Sequence, residues 1–238
     1  MLWRGTALLH SSVESNWITN AVFGLPATQA ATIKVPALIY LAGLTCNEET
    51  FMTKAGAQRS AAQTGLMLIA PDTSPRSAHL PGETANWDLG AGAGFYVDAS
   101  EEPWNRHYRL YSFVLELYGL IVKEFPMLAP GVGIMGHSMG GHGALALVLR
   151  NPALFKSVSV LAPICALSQV PWGVKAFSAY LCNNQEDWQA FDAGGLMEKM
   201  VKPFPHSILI DQGGRQISGE SIISSRAGRI LPESRPVP

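Results

Sequence analysis

Gly136-His137-Ser138-Met139-Gly140-Gly141-His142-Gly143-Ala144-Leu145 sets a Gly-x-Ser-x-Gly pentapeptide between the apolar run 132–135 and an apolar stretch, 144–149, that Asn151-Pro152 stops. The first run reads as a short buried strand and the second as a helix. A strand that becomes a helix within one residue holds its serine in a strained backbone conformation. Side chains two positions before and after it would collide with neighbouring backbone, so Gly136 and Gly140 are read as residues required for space. The helix that opens just after Ser138 aims its free N–H groups and positive dipole end at the serine oxygen. This is the pattern of a nucleophile elbow, and Ser138 is its candidate nucleophile. The plainer reading is a glycine-rich turn that happens to contain a serine.

The strands on either side of the elbow extend the pattern. Residues 35–43 form a continuous apolar run ending in glycine, as expected of a parallel strand covered on both faces. Small and polar residues at helical spacing follow over 50–63, and 66–70 is a second buried strand broken by Pro71-Asp72. From 73 to about 104 the composition turns to Gly, Pro, Ser and single aromatics, which reads as a long excursion over the strand tips. Helical periodicity resumes over 108–125, followed by the elbow strand, an apolar run at 157–162, a tryptophan-containing insertion near 171–173 and a last strand at 207–211. Five strands alternating with helices predict an α/β fold of the α/β-hydrolase kind, a mostly parallel central sheet with helices on both faces. The segment before residue 35 is polar and weakly patterned, and no strand is assigned to it.

Composition narrows the function classes. The chain has 238 residues, 47% of them hydrophobic and 15% charged, which suits one domain with a full α/β core. A formal net charge of -1 gives no basic footprint, so neither nucleic acid nor an anionic membrane is an expected partner. Cys46, Cys165 and Cys182 show neither metal spacing nor an even-numbered secreted framework, which predicts a cytoplasmic protein without a metal. No apolar run approaches the roughly 20 residues of a membrane span. A small-molecule ester or thioester is the expected ligand, and a homodimer is compatible with the sequence.

A serine hydroxyl needs a histidine base and a carboxylate that orients it. After Ser138 the sequence holds only His142 and His206, and no histidine follows Asp211 at the end of the last predicted strand. His142, four residues along the elbow helix, reads as a packed or capping histidine. Asp187, Asp192 and Glu198 fall in a segment with the look of a surface helix, where each reads as a solvated charge, with Asp187 and Asp192 as candidates for the triad acid. Trp87, Phe95 and Trp172 lie in loops over the strand tips, as pocket walls or as ordinary core.

Long runs of this sequence resemble the S-formylglutathione hydrolases, also called esterase D, from about residue 10 to 213. The matching segments are Leu41-Ala42-Gly43-Leu44-Thr45-Cys46, Ala70-Pro71-Asp72-Thr73-Ser74-Pro75-Arg76, Gly92-Ala93-Gly94-Phe95-Tyr96-Val97-Asp98-Ala99, the decapeptide around Ser138, Pro171-Trp172-Gly173 and Leu209-Ile210-Asp211-Gln212-Gly213. The resemblance implies a cytosolic serine thioesterase of formaldehyde detoxification that hydrolyses S-formylglutathione to formate and glutathione, with no cofactor. It implies Ser138 as nucleophile and the N–H groups of Leu44 and Met139 as the oxyanion hole. It also implies a thiol-sensitive Cys46 beside that hole, where a buried small apolar residue is the alternative reading.

The resemblance stops after Gly213. The family's acid, in Asp-x-Phe-Leu, and its base, in Gly-Tyr-Asp-His-Ser, have no counterpart in residues 214–238, where Gly214-Arg215-Gln216-Ile217-Ser218 opens a Ser, Arg and Pro tail. The expected domain is therefore residues 1–213, an incomplete hydrolase unit lacking its last strand and helix, followed by a disordered tail at 214–238. A reading-frame slip would account for the break: codons for Arg215 to Ser218, read one base later, can encode Asp-Lys-Phe-Leu. The coding DNA decides this, and codons that lack those shifted triplets reject it. A spliced variant with another last exon has the same effect. Such a chain is expected to be an impaired esterase with an uncapped sheet edge and poor solubility, or else a noncatalytic scaffold that binds a ligand or partner.

Overall fold

Strand β3 (Val35–Leu41) shows why this sequence makes a two-sided sheet. Val35, Ala37, Ile39 and Leu41 are buried in the main core with residues of the long helices, while Leu38 packs with Phe51 and Met52 in a smaller cluster. Alternation across one strand thus feeds two apolar layers. In this computed structural model residues 3–12, 17–26, 34–76, 78–125, 127–182, 184–201 and 204–213 are described. The tail, its proposed frame slip and the missing last strand and helix lie outside the described residues.

In chain order the strands are β1 (Trp3–Ser12), β2 (Trp17–Pro26), β3, β4 (Met67–Pro71), β5 (Met127–His137), β6 (Ser157–Leu161) and β7 (Ile208–Asp211). They form one sheet in the order β1-β2-β4-β3-β5-β6-β7. From β4 through β3, β5 and β6 to β7 every pairing is parallel, and β1 and β2 add an antiparallel hairpin at the far edge. This is the α/β-hydrolase architecture expected from the sequence.

Five strands are expected and seven are found. The hairpin β1–β2 was unassigned because it lacks clean period-two alternation. Gly5 and Gly24 face one another in its register, so backbone pairing rather than side-chain pattern defines it. β5 also starts earlier than its apolar run, at Met127, and its pairing with β3 shifts register between Val35 and Ala37.

The helices are α1 (Thr50–Ala55), α2 (Ala57–Thr64), α3 (Leu110–Glu124), α4 (Met139–Arg150), α5 (Pro171–Tyr180), α6 (Gln185–Trp188) and α7 (Ala193–Glu198). The single helix expected over 50–63 is two, because Gly56 takes a left-handed φ of 58° and ends the first. The tryptophan-containing insertion is the start of α5, with Pro171 in its first turn. Residues 72–109 carry no helix or long strand and run as the expected excursion. Among the described residues β7 is the outermost strand at its end of the sheet, with Leu209 60% exposed. No helix of the described residues is long and apolar enough to cross a membrane.

Candidate active site

Ser138 is the single residue between β5 and α4, and its φ of 56° and ψ of -117° are far from ordinary regions for a residue with a side chain. Neighbouring backbone holds it there. Its N–H donates to the Leu161 carbonyl at 2.9 Å, and its own carbonyl accepts from the His142 N–H at 3.1 Å. The glycines supply the space. A Cβ on Gly136 would overlap the Gly140 carbonyl, and one on Gly140 would overlap the Leu41 carbonyl. Both collisions are with backbone that cannot swing aside.

The loop after β3 lies against this elbow. A Cβ on Gly43 would stand 3.3 Å from Ser138 Cβ and 3.3 Å from the His137 carbonyl oxygen. In the loop the Thr45 N–H donates to the Gly92 carbonyl at 2.9 Å and the Cys46 N–H to the Gly43 carbonyl at 3.3 Å. The N–H of Leu44, between Gly43 and Thr45 in the chain, has no acceptor among the described residues, and neither has the N–H of Met139 at the start of α4. Two unsatisfied donors flanking a strained serine can receive an oxyanion, with the α4 dipole adding to their field. The Met139 side chain is fully buried, so its N–H is the part of this residue that is open to the site.

The loop is also tied to the excursion. The fully buried Tyr96 donates its hydroxyl to the Ala42 carbonyl at 2.9 Å. Burial, with Asp72 as the next cause, raises the Tyr96 pKa well above the ordinary tyrosine value and keeps this donor protonated. Phe95 and Tyr96 hold left-handed φ values of 50° and 54°, a second strained pair next to the elbow. The Gly92 N–H donates to Ser74 Oγ at 2.8 Å, and the Cys46 carbonyl accepts from both Thr73 and Arg76. Cys46 is half-buried in this loop. Apart from the shared sequence runs, no local pattern pointed to Tyr96, Thr73 or Arg76, because each acts through a contact distant in sequence.

The remaining candidates sort as follows. Trp172 is half-buried near the start of α5, with its ring 6.4 Å from that of the fully buried Phe95. Trp87 is 68% exposed, in the same turn as Glu83 and Asp88, which accept from Tyr108 and Lys175. Asp187 and Glu198 are exposed, as solvated charges should be. Asp192 is a correction. Its side chain is buried, caps α7 by accepting from the Gly195 N–H at 3.0 Å, and also accepts from the Ser168 N–H at 2.8 Å.

His142 is packed, as expected, and does not cap. It is fully buried, and neither ring nitrogen has a hydrogen-bond partner among the described residues. Burial pulls its pKa down to about 4, against a smaller opposing pull from Asp192. A neutral imidazole enclosed in this way is not placed to serve Ser138. His206 is half-buried before β7 with its ring edge-on to Phe204, and Ser138 Oγ makes no hydrogen bond among the described residues. Among those residues no group of three His, Cys, Asp or Glu side chains could hold a metal ion.

Comparison with known proteins shows the family. The family model "Putative esterase" matches residues 12–227, a span that continues beyond Gly213. An S-formylglutathione hydrolase of Rattus norvegicus is 47% identical over 226 residues, covering 94% of this chain and 77% of that protein. The Mus musculus S-formylglutathione hydrolase is 46% identical with the same coverage. Among solved structures, an S-formylglutathione hydrolase from Agrobacterium tumefaciens superimposes with a TM-score of 0.83 at 41% identity, covering 90% of this chain and 76% of that one.

Proposed function

The chain belongs to the S-formylglutathione hydrolase family, and from that premise we propose that it is a serine thioesterase in which Ser138 attacks the formyl carbonyl of S-formylglutathione. The observation that carries this reading is the strained Ser138 flanked by the unsatisfied N–H groups of Leu44 and Met139. Oγ bonds to the carbonyl carbon and the oxygen becomes an oxyanion within reach of the two donors. The C–S bond then breaks, and the sulfur leaves with a proton as glutathione thiol. Water adds to the formyl ester on Ser138, and the C–Oγ bond breaks to release formate and restore the serine. No step requires a cofactor, and the reaction fits formaldehyde catabolism in the cytoplasm.

The proton transfers are the weak part. The family's acid and base motifs lack counterparts after Gly213, and residues 212–238 contain neither Asp nor His. We propose that this 238-residue chain turns over slowly. Serine hydrolases without triad members keep about 10³ to 10⁴ over the water reaction from oxyanion and binding terms.

The test pairs two measurements on the chain and its Ser138→Ala variant: labelling by a fluorophosphonate probe, read by mass spectrometry, and hydrolysis of S-formylglutathione. Labelling confined to Ser138 with slow hydrolysis supports the proposal. Labelling with turnover at ordinary enzyme rates rejects the impairment. Tight binding of the thioester with neither labelling nor hydrolysis supports a noncatalytic scaffold instead.

A further inference from the structure

We propose that Arg76, locked by Asp72, is a positioning residue that fixes the backbone of residues 43–46 and so aims the Leu44 N–H at the oxyanion. The inference rests on the oxyanion role given to Leu44 above, and its geometry involves neither Ser138 nor a base.

Asp72 follows the last residue of β4, beside the tip of β3 where the loop begins. Its carboxylate is 1% exposed, and Arg76 reaches it as a fork: Nε to Oδ2 at 2.9 Å and Nη2 to Oδ1 at 2.8 Å. Oδ1 also accepts from the Thr73 N–H at 2.6 Å. A buried carboxylate is tolerated only when its oxygens are met in this way, and the bidentate pair holds the guanidinium in one orientation. Asp72 and its neighbours thereby keep Arg76 charged.

The same Nη2 that meets Oδ1 also donates to the Cys46 carbonyl at 2.9 Å, and Thr73 Oγ1 donates to that carbonyl at 2.5 Å. Both lone pairs of one loop carbonyl are therefore taken by the Asp72–Arg76 unit and its neighbour. That carbonyl follows Thr45, whose φ of 64° is left-handed. A threonine holds such a backbone only where its surroundings over-determine it. The Thr45 N–H is fixed by Gly92 on one side, and the Cys46 carbonyl by Thr73 and Arg76 on the other. Removal of the guanidinium leaves that side of the clamp to the Thr73 hydroxyl alone, and the looser hold lets Thr45 relax and turn the adjacent Leu44 N–H away from Ser138. Arg76 is 39% exposed and its guanidinium is bonded to Asp72 and to the Cys46 carbonyl, so its charge and fork are what the clamp uses.

The experiment uses the full chain with Arg76→Gln and Arg76→Lys. Three rates are read from each: iodoacetamide alkylation of Cys46, alkylation of the buried Cys165, and fluorophosphonate labelling of Ser138, all by peptide mass spectrometry. Arg76→Gln is expected to speed alkylation of Cys46 severalfold, leave Cys165 protected and slow Ser138 labelling about 100-fold, the usual effect of a misplaced catalytic group. Arg76→Lys, which keeps the charge without the fork, is expected to fall between.

If Ser138 fails to label in the unaltered chain, the thioesterase reading fails, and the Cys46 rate still decides whether Arg76 clamps the loop. Unchanged Cys46 and Ser138 rates in Arg76→Gln overturn the proposal. A rise at Cys165 in step with Cys46 in both variants overturns it too, since Arg76 would then support the fold as a whole.

Discussion

Tyr96 lies with its ring in the space that a side chain at Gly143 would occupy, so the excursion and the elbow helix meet at a position open only to glycine. The tyrosine cannot retreat, because its ring is fully buried, its backbone is left-handed and its hydroxyl is bonded to Ala42.

Gly143→Ala is therefore expected to destabilise the protein by about 3 kcal/mol, toward the upper end for overpacking. Gly119→Ala is the contrasting substitution. Gly119 lies within α3 with nothing in the path of a Cβ, and alanine there should stabilise by about 0.5–1 kcal/mol. Urea denaturation of the two variants checks both signs.

Ser138→Gly should raise stability by about 1 kcal/mol while abolishing any labelling at that position. A serine at φ 56° and ψ -117° carries strain of about 1–3 kcal/mol that glycine relieves, less the extra freedom that glycine gives the unfolded chain. Ser138→Ala keeps the strain and should show no gain. The thermal midpoints of the two variants separate strain from loss of the hydroxyl.

Acid should destabilise the fold through His142. Its folded-state pKa of about 4 lies below the ordinary 6.5, so the unfolded chain takes up the proton first. The stability that neutral His142 contributes is complete above pH 6.5 and is lost as pH falls toward 4, on the order of 3 kcal/mol across the window. His142→Leu should flatten that part of the profile, since Asp192 keeps its own partners at Ser168 and Gly195. Urea midpoints at pH 7 and pH 4.5 for the chain and the variant give the comparison.

Leu209→Lys is expected to reduce self-association of the chain. The leucine is exposed on the outermost described strand at that end of the sheet, and a charge on an edge strand opposes pairing with another copy. Light scattering against concentration reads the effect, and an unchanged profile means that this edge does not drive association.

The legible parts of this molecule were those with a local cause. β3, β4, β6 and β7 are short apolar runs next to turn residues, and their observed bounds lie within two residues of those expected. The elbow was legible because Gly136, Ser138 and Gly140 are adjacent and each answers one steric demand. The hairpin β1–β2 was not, since its strands pair through backbone with Gly5 opposite Gly24. Asp192 looked like a surface charge because a cap is defined by the N–H groups that reach it, here from Ser168 and Gly195. Tyr96 and Arg76 carry no periodic signal: their partners, Ala42 and Cys46, lie 54 and 30 residues away.

The strand order also bears on how the chain can be made. Once β4 has joined the hairpin to β3, each later strand is laid on the growing edge of the sheet: β5 on β3, β6 on β5, β7 on β6. From β4 onward, a nascent chain leaving the ribosome can thus extend its sheet in one direction. The backbone of Ser138 is tied down as soon as β6 arrives to accept its N–H at Leu161, before α5, α6, α7 and β7 are made.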